Sequence, residues 1–326
     1  MHILTADDVR QAVPMIEAID AVAASFEALS IGQTLVPLRT HMEPPDTNAH
    51  ILVMPAHLTS SQATGLKVVS IFPDNATHHN LPNIHALVVL LDSTTGRPVA
   101  IIDGTYLTAL RTGAASGVAT RALSRTDSHV LAIFGAGAQA PLQVAAVCAV
   151  RPIKRIWVVN RTRERAETFA IALRDQQPQV DIQIAVSPDQ ALAEADLICC
   201  ATSSTTPLFD DRSLRPGTHI NGVGSFTPEM SEVPIATVAQ SRVFIDQQSA
   251  VWAEAGDLIQ ARDKGMLDTH VVTELGEVLA GNVAGRVSAE EITFFKSVGV
   301  AVQDMAVAQL ALAKALQHNY GTVAQF

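Results

Sequence analysis

Apolar positions recur at helical spacing between residues 14 and 30, at Met15, Ile16, Ile19, Val22, Phe26 and Leu29, and predict an amphipathic helix after a short opening one. Three strand-like apolar runs follow at 50–54, 66–72 and 86–91, separated by clusters of Pro, Asn, Asp and Gly that favour turns. Residues 92–98, Asp-Ser-Thr-Thr-Gly-Arg-Pro, read as a hairpin turn into a further strand at 99–102. Consecutive strands without intervening helices require an antiparallel or mixed sheet. Residues 105–123 are helical in pattern but crowded with Gly113, Ala114, Ala115, Ser116 and Gly117. Such residues weaken a helix, and make sense where the core is tight or another backbone or a ligand comes close.

From about residue 121 the rhythm changes to strand then helix, with strands at 130–134, 155–159, 182–186, 197–201, 219–223 and 243–245 and helices at 141–150, 163–174 and 188–193. Buried strands alternating with helices specify a doubly wound parallel sheet. An apolar helix at 304–317 is long enough to pack back on the first part of the chain.

Composition narrows the class. A chain of 326 residues is expected to hold about two domains. Hydrophobic residues make up 48% and charged ones 17%, a balance that buries a large core and excludes disorder. With 22 basic and 32 acidic residues the net charge is −10, which argues against nucleic acid or a membrane surface as partner while permitting a local basic pocket. Cys148, Cys199 and Cys200 form no C-x-x-C pair, so inert thiols in a reducing, cytoplasmic compartment are expected. Asp7 and Asp8 stand where a signal peptide needs an apolar run. Residues 130–150 carry no charge, but two glycines, two glutamines and a proline make them a strand, turn and buried helix rather than a membrane span.

The sharpest motif is Gly135-Ala136-Gly137-Ala138-Gln139-Ala140, between an apolar strand and a helix. Gly135 permits the tight turn, Gly137 lets backbone approach a pyrophosphate, and Ala140 takes the third small position of a dinucleotide-binding turn. The helix start, with its dipole, suits the phosphates. An NAD site usually carries an acid at the end of the second strand; here the chain reads Val159-Asn160-Arg161-Thr162-Arg163-Glu164-Arg165. Asn160, Arg161, Thr162 and Arg165 are therefore expected to face the ribose and a 2′-phosphate, favouring NADPH over NADH. Arg39, Lys67 and Arg111 sit among apolar or small residues with few acids nearby, and together suggest a pocket for a carboxylate.

Other groups are weaker candidates. His78 and His79 lie in a turn, where no metal is expected. His41 and His85 lie near the cationic segments and read as structural or as proton donors. Cys199 and Cys200 end a buried strand and need no catalytic role, and no G-x-S-x-G elbow occurs.

These segments together resemble the ornithine cyclodeaminase/mu-crystallin family. The matching runs are G-L-K-V-V-S-I-F-P-D-N (65–75), L-T-A-L-R-T-G-A-A-S (107–116), F-G-A-G-A-Q (134–139) and V-V-N-R-T (158–162), continuing through G-V-G-S-F-T-P-E-M-S-E-V (222–233) and F-K-S-V-G-V-A-V-Q-D (295–304). The resemblance implies an α/β fold: a Rossmann doubly wound parallel sheet at 122–302, plus a discontinuous α+β substrate and dimerisation domain at 1–121 completed by 303–326. It also implies a homodimer. In such proteins residues matching Arg39, Lys67 and Arg111 hold the substrate carboxylate, and Thr112 lies near the cofactor phosphates. Residues matching Ala201, Thr202 and Ser203, Val223 to Ser225, and Ser297 to Gly299 line the nicotinamide side, with Ser225 facing substrate.

One departure separates activities within the family. Cyclodeaminases carry an aspartate in the loop after the strand ending near Val223, written roughly G-D-x-P-G-K, whereas this loop reads Gly224-Ser225-Phe226-Thr227-Pro228-Glu229. Oxidising an amine, losing ammonia, closing a ring and returning hydride needs acid–base help that reducing a ready-made cyclic imine does not. The loop is similar to that of reductases of delta-1-pyrroline-2-carboxylate. The expected activity is therefore NADPH-dependent reduction of a cyclic imino acid, the five-ring compound or its six-ring homologue, to L-proline or L-pipecolate. Lys67 and Arg111 are its expected catalytic residues. Glu229 or Glu232 replacing the missing aspartate would restore a cyclodeaminase. An amino-acid dehydrogenase, or a cofactor-binding protein without turnover, would fit the same scaffold.

Overall fold

The computed structural model describes residues 1–45 and 47–325. Its elements run β1 (His2–Leu4), α1 (Ala6–Ala12), α2 (Met15–Ser30), β2 (Thr34–Leu35), β3 (Thr40–Met42), β4 (His50–Leu58), β5 (Ala63–Ile71), α3 (Asn75–His78), β6 (Ile84–Leu91), β7 (Pro98–Asp103) and α4 (Gly104–Leu123). The strand–helix alternation follows as β8 (Val130–Phe134), α5 (Ala140–Val150), β9 (Arg155–Val159), α6 (Arg163–Gln176), β10 (Asp181–Ile184), α7 (Pro188–Leu192), β11 (Leu197–Cys200) and β12 (His219–Gly222). The chain ends with α8 (Ile235–Gln240), β13 (Arg242–Ile245), α9 (Gln248–Glu254), α10 (Gly256–Asp263), β14 (Thr273–Glu274), α11 (Leu275–Leu279), β15 (Thr293–Lys296), α12 (Ala301–His318) and β16 (Thr322–Val323).

Two compact units result, Met1–Arg111 with Val300–Phe326, and Thr112–Gly299. The divide falls inside α4, whereas the change of hydrophobic rhythm comes only where that helix ends. Among the described residues no helix is long and apolar enough to cross a membrane.

The first unit is built on a mixed sheet of order β16-β1-β7-β6-β5-β4-β2, with β3 also on β4. Its neighbours are antiparallel except β1 and β7, which run parallel. The strands extend beyond the runs anticipated at 50–54 and 66–72, because β4 and β5 pair along their whole length from His50↔Ile71 to Leu58↔Ala63. Helix α12 packs against α2, β4 and β5 and buries Val302, Met305, Ala308 and Ala311. It stops at Asn319, whose left-handed backbone (φ 58°) closes the last turn. At the other end of the chain, α1 begins with a capping box between Thr5 and Asp8.

The second unit holds a parallel sheet of order β10-β9-β8-β11-β12-β15-β13-β14. Alternate residues of β8 feed two cores: Val130, Ala132 and Phe134 join Ile198, Ile220 and Phe294 on one face, while Leu131 and Ile133 join Val144, Ile156 and Phe169 on the other. The strand order reverses between β8 and β11, which in a doubly wound sheet opens the ligand crevice at the strands' carboxyl ends. Strand β15 was not anticipated; it slots between β12 and β13. The crowded small residues of α4 have a packing cause at Gly113, where a Cβ would lie 2.4 Å from the Leu142 carbonyl oxygen of α5.

Candidate active site

In the first unit β5 places Lys67 opposite Met54 and Val88, in the middle of the sheet. A lone ammonium there would be prohibitive, and it is not alone: Nζ lies 3.0 Å from Oδ1 and 2.8 Å from Oδ2 of Asp304 on α12. Arg111, at the end of this unit's part of α4, donates from Nε to the same Asp304 Oδ1 at 3.0 Å and from Nη1 to Gln303 Oε1 at 2.8 Å. Lys67, Arg111, Gln303 and Asp304 are all buried, and Gln303 Nε2 has no partner among the described residues.

Burial drives the Lys67 ammonium down to about 8; Arg111 and then Arg39 push the same way, and Asp304 opposes them. Arg39, half-buried on the connection between β2 and β3, adds a smaller repulsion than Arg111 does. For Asp304 burial acts to raise the carboxyl, but Arg111 and Lys67 outweigh it and leave it below the usual carboxylate range. Lys67 and Arg111 thus share one carboxylate, a formal surplus of one positive charge. Such a cluster is ready for a further anion.

Asp304 is the residue that sequence reading missed. It stands in the first turn of an apolar helix, where an acid ordinarily needs no explanation beyond the helix dipole. The signal was the cost of burying Lys67 without a counter-charge. His41, His78, His79 and His85 are all exposed. An open groove of about 1000 Å³ elsewhere in this unit, lined by Val89, Leu91, Ile101 and Leu312 among others, includes none of the expected site residues.

The second unit carries the glycine-rich turn after β8. Gly135 adopts φ 104°, and a Cβ there would lie 2.5 Å from the Ala201 carbonyl oxygen, so this position needs glycine for both backbone and space. Gly137 is different: a Cβ there would meet nothing within 4 Å, so no protein atom demands a glycine. No side chain caps the start of α5 either, and Pro141 occupies its first turn. Open space over a glycine and an uncapped helix start fit a dinucleotide pyrophosphate, with Ala136, Ala138 and Gln139 completing the turn.

At the end of β9, Asn160 accepts from the Ala136 N–H at 3.2 Å and donates to the Thr162 carbonyl at 2.8 Å, bracing one turn against the next. Arg161, Thr162 and Arg165 are exposed, while Arg163 pairs with Glu167 at 2.8 Å.

Three loops at the carboxyl ends of β11, β12 and β15 contain the residues expected on the nicotinamide side. Thr112, Ser225 and Ser297 are buried, Ala201, Thr202 and Val223 half-buried, and Ser203 exposed. Two buried carboxylates organise the loops, and neither was given that part by sequence. Asp246 Oδ2 accepts from Ser297 Oγ, Val298 N and Gly299 N at 2.8, 2.9 and 2.7 Å. Glu232 receives Thr202 N and Oγ1 on Oε1, and Gly224 N and Ser225 N on Oε2. The Ser225 hydroxyl is turned to the Met230 carbonyl at 3.1 Å. Glu229 is exposed, and both Glu232 oxygens are engaged as acceptors, so neither glutamate is placed like a free general acid.

The chain is similar to known proteins along its whole length. The profile of the ornithine cyclodeaminase/mu-crystallin family matches residues 1–319. A Delta(1)-pyrroline-2-carboxylate reductase of Bacillus cereus is 37% identical over 328 residues, covering 100% of both chains. Among solved structures, Thermococcus litoralis Delta(1)-pyrroline-2-carboxylate reductase in complex with NADH and L-proline superposes with a TM-score of 0.95 at 39% identity, covering 99% of this chain and 100% of that one. An archaeal alanine dehydrogenase dimer with bound NAD gives 0.92 at 32% identity, covering 100% and 99%.

Proposed function

We propose that this chain, which belongs to the ornithine cyclodeaminase/mu-crystallin family, reduces delta-1-pyrroline-2-carboxylate, and its six-ring homologue delta-1-piperideine-2-carboxylate, with NADPH to give L-proline and L-pipecolate. It is a nicotinamide-dependent oxidoreductase acting on a C=N bond. The observation that carries the reading is the buried cluster of Lys67, Arg111 and Asp304, in which two cations share one carboxylate and can accept another. Arg39, Lys67 and Arg111 bind and orient that carboxylate, and fixing the ring in one pose supplies much of the rate. Asp304 holds the two buried cations in place before substrate arrives. The turn 135–139 holds the dinucleotide phosphates, Thr112 lies beside them, and the loops carrying Thr202, Val223, Ser225, Ser297 and Gly299 enclose the nicotinamide. When bound, the reduced nicotinamide supplies the hydride that the imine carbon accepts.

The NADPH preference rests on Arg161, Thr162 and Arg165, which stand exposed where NAD-preferring folds place a carboxylate. The solved relative holds NADH, so the decisive measurement is oxidation of each cofactor with the cyclic imine present. A clear preference for NADH overturns the cofactor assignment. No turnover of either imine, with ammonia released from ornithine, replaces the reductase by a cyclodeaminase. The likeness to an alanine dehydrogenase makes an amino-acid dehydrogenase the second reading, tested with alanine and oxidised cofactor in the same assay. We take the protein to be a cytoplasmic homodimer; light scattering tests the dimer.

A further inference from the structure

We propose that Glu232 is a positioning residue for hydride transfer: its buried carboxylate fixes the loops after β11 and β12 around the nicotinamide half of the dinucleotide. The inference rests on the dinucleotide reading given above. In a doubly wound sheet the dinucleotide spans the point where strand order reverses, so phosphates over the turn after β8 put the nicotinamide half at the carboxyl ends of β11 and β12. Those ends are irregular backbone, and four donors from them converge on one side chain. Thr202 N and Oγ1 lie 2.6 and 2.8 Å from Oε1, and Gly224 N and Ser225 N lie 2.7 and 3.1 Å from Oε2.

The strut is itself anchored. Asp257 Oδ1 accepts from the backbone N–H of Glu232 at 2.7 Å and of Val233 at 3.0 Å. The other oxygen of Asp257 lies 3.3 Å from Nζ of Lys296, which ends β15, the strand beside β12. Glu232, Asp257 and Lys296 are wholly buried, so the ends of β11, β12 and β15 are tied together without solvent. Burial pushes the Glu232 carboxyl above its usual range, with Lys296 opposing, Asp257 adding to the rise and the Thr202 donors opposing it, but four donors aimed at its two oxygens suit the carboxylate form. A glutamine of the same shape has a single acceptor oxygen, and its NH₂ would confront one of the two donor pairs. With every acceptor position of Glu232 engaged, its influence on the reaction passes through the loops.

The test is Glu232→Gln, read by binding and by rate. Titrating the fluorescence of whichever reduced dinucleotide binds more tightly gives affinity for the whole cofactor, and calorimetry with the matching ADP-ribose, 2′-phosphorylated or not, gives affinity for the part without nicotinamide. The expected result is about a tenfold loss for the whole cofactor with the fragment unchanged. It is accompanied by about a hundredfold fall in kcat and a larger isotope effect from dinucleotide deuterated at the transferred position. Equal losses for cofactor and fragment, or no loss in either, overturn the proposal. If the glutamine variant does not fold, Thr202→Val removes one of the four donors and should shift the same quantities less, with Thr202→Ser restoring them. If the wild-type protein binds dinucleotide but reduces no cyclic imine, the proposed reaction fails while the binding comparison still decides the part of Glu232.

Discussion

Replacing Asp304 by asparagine removes one charge and almost no volume, so the change in stability reads the electrostatics of the cationic cluster. The carboxylate is wholly buried, 2.8 Å from the Lys67 ammonium and 3.0 Å from Arg111 Nε. Asp304→Asn leaves two buried cations facing each other, and losing one partner from such an arrangement is expected to cost about 3–5 kcal/mol. For a chain of this size Tm falls by about 4–7 °C. The loss has a pH signature with a definite sign. Lys67 is lowered from 10.5 to about 8 in the fold. As pH falls between those values the unfolded chain takes up a proton that the native state does not hold, and native stability declines. Without Asp304 the Lys67 ammonium loses the attraction that opposes burial, its pKa moves lower still, and that window extends below 8. The difference in stability between wild type and variant therefore grows as pH falls below about 8. Thermal unfolding followed by circular dichroism across this range measures it. A Tm within about 1 °C of wild type, or a difference that shrinks as pH falls, refutes the counter-charge role.

Three further outcomes follow from the same geometry. Because Lys67 carries its proton only below about 8, kcat/KM for the imine should fall as pH rises through that value, and Lys67→Arg should lower activity while removing this limb of the profile. Arg161→Ser with Arg165→Ser should raise the KM for NADPH by about tenfold or more and leave that for NADH within twofold; equal effects on both would end the 2′-phosphate assignment. Gly135→Ala should destabilise the protein by more than about 1 kcal/mol and weaken dinucleotide binding, since it adds a clash with the Ala201 carbonyl to an unfavourable φ. A variant with unchanged Tm and affinity would show that the turn relaxes freely.

What the sequence makes legible follows from how local each determinant is. Strands β8 and β9 are apolar runs between turn signals, and their expected bounds coincide with Val130–Phe134 and Arg155–Val159. Strand β15 is Thr-Phe-Phe-Lys and ends on a buried lysine, too short a run to announce itself; it is a strand because β12 and β13 pair with it from distant sequence. Strand β1 is three residues long, and it too is defined by remote partners, Ala100 to Ile102 on one side and Thr322 and Val323 on the other. The site divides in the same way. Lys67, Arg111 and Gly135 announce themselves because a buried cation or a required glycine is unusual in its own segment. Asp304, Glu232 and Asp246 sit in ordinary local contexts, and their meaning lies in the donors that converge on them from elsewhere in the chain.

The discontinuity of the first unit also sets an order of events during synthesis. Residues 112–299 form one contiguous stretch, and the parallel sheet holding β8 to β15 has all its strands once Lys296 has emerged from the ribosome. The N-terminal unit begins earlier and finishes later. Its strands β4 and β5 wait for α12 to cover them, and β1 waits for β16 to pair with its outer side, where Ala324 bonds back to Met1. Until residue 304 is made, Lys67 and Arg111 have no acid to bury themselves against. The unit that is translated first is therefore completed last, and the helix that covers its sheet also brings the one carboxylate that its buried cations share.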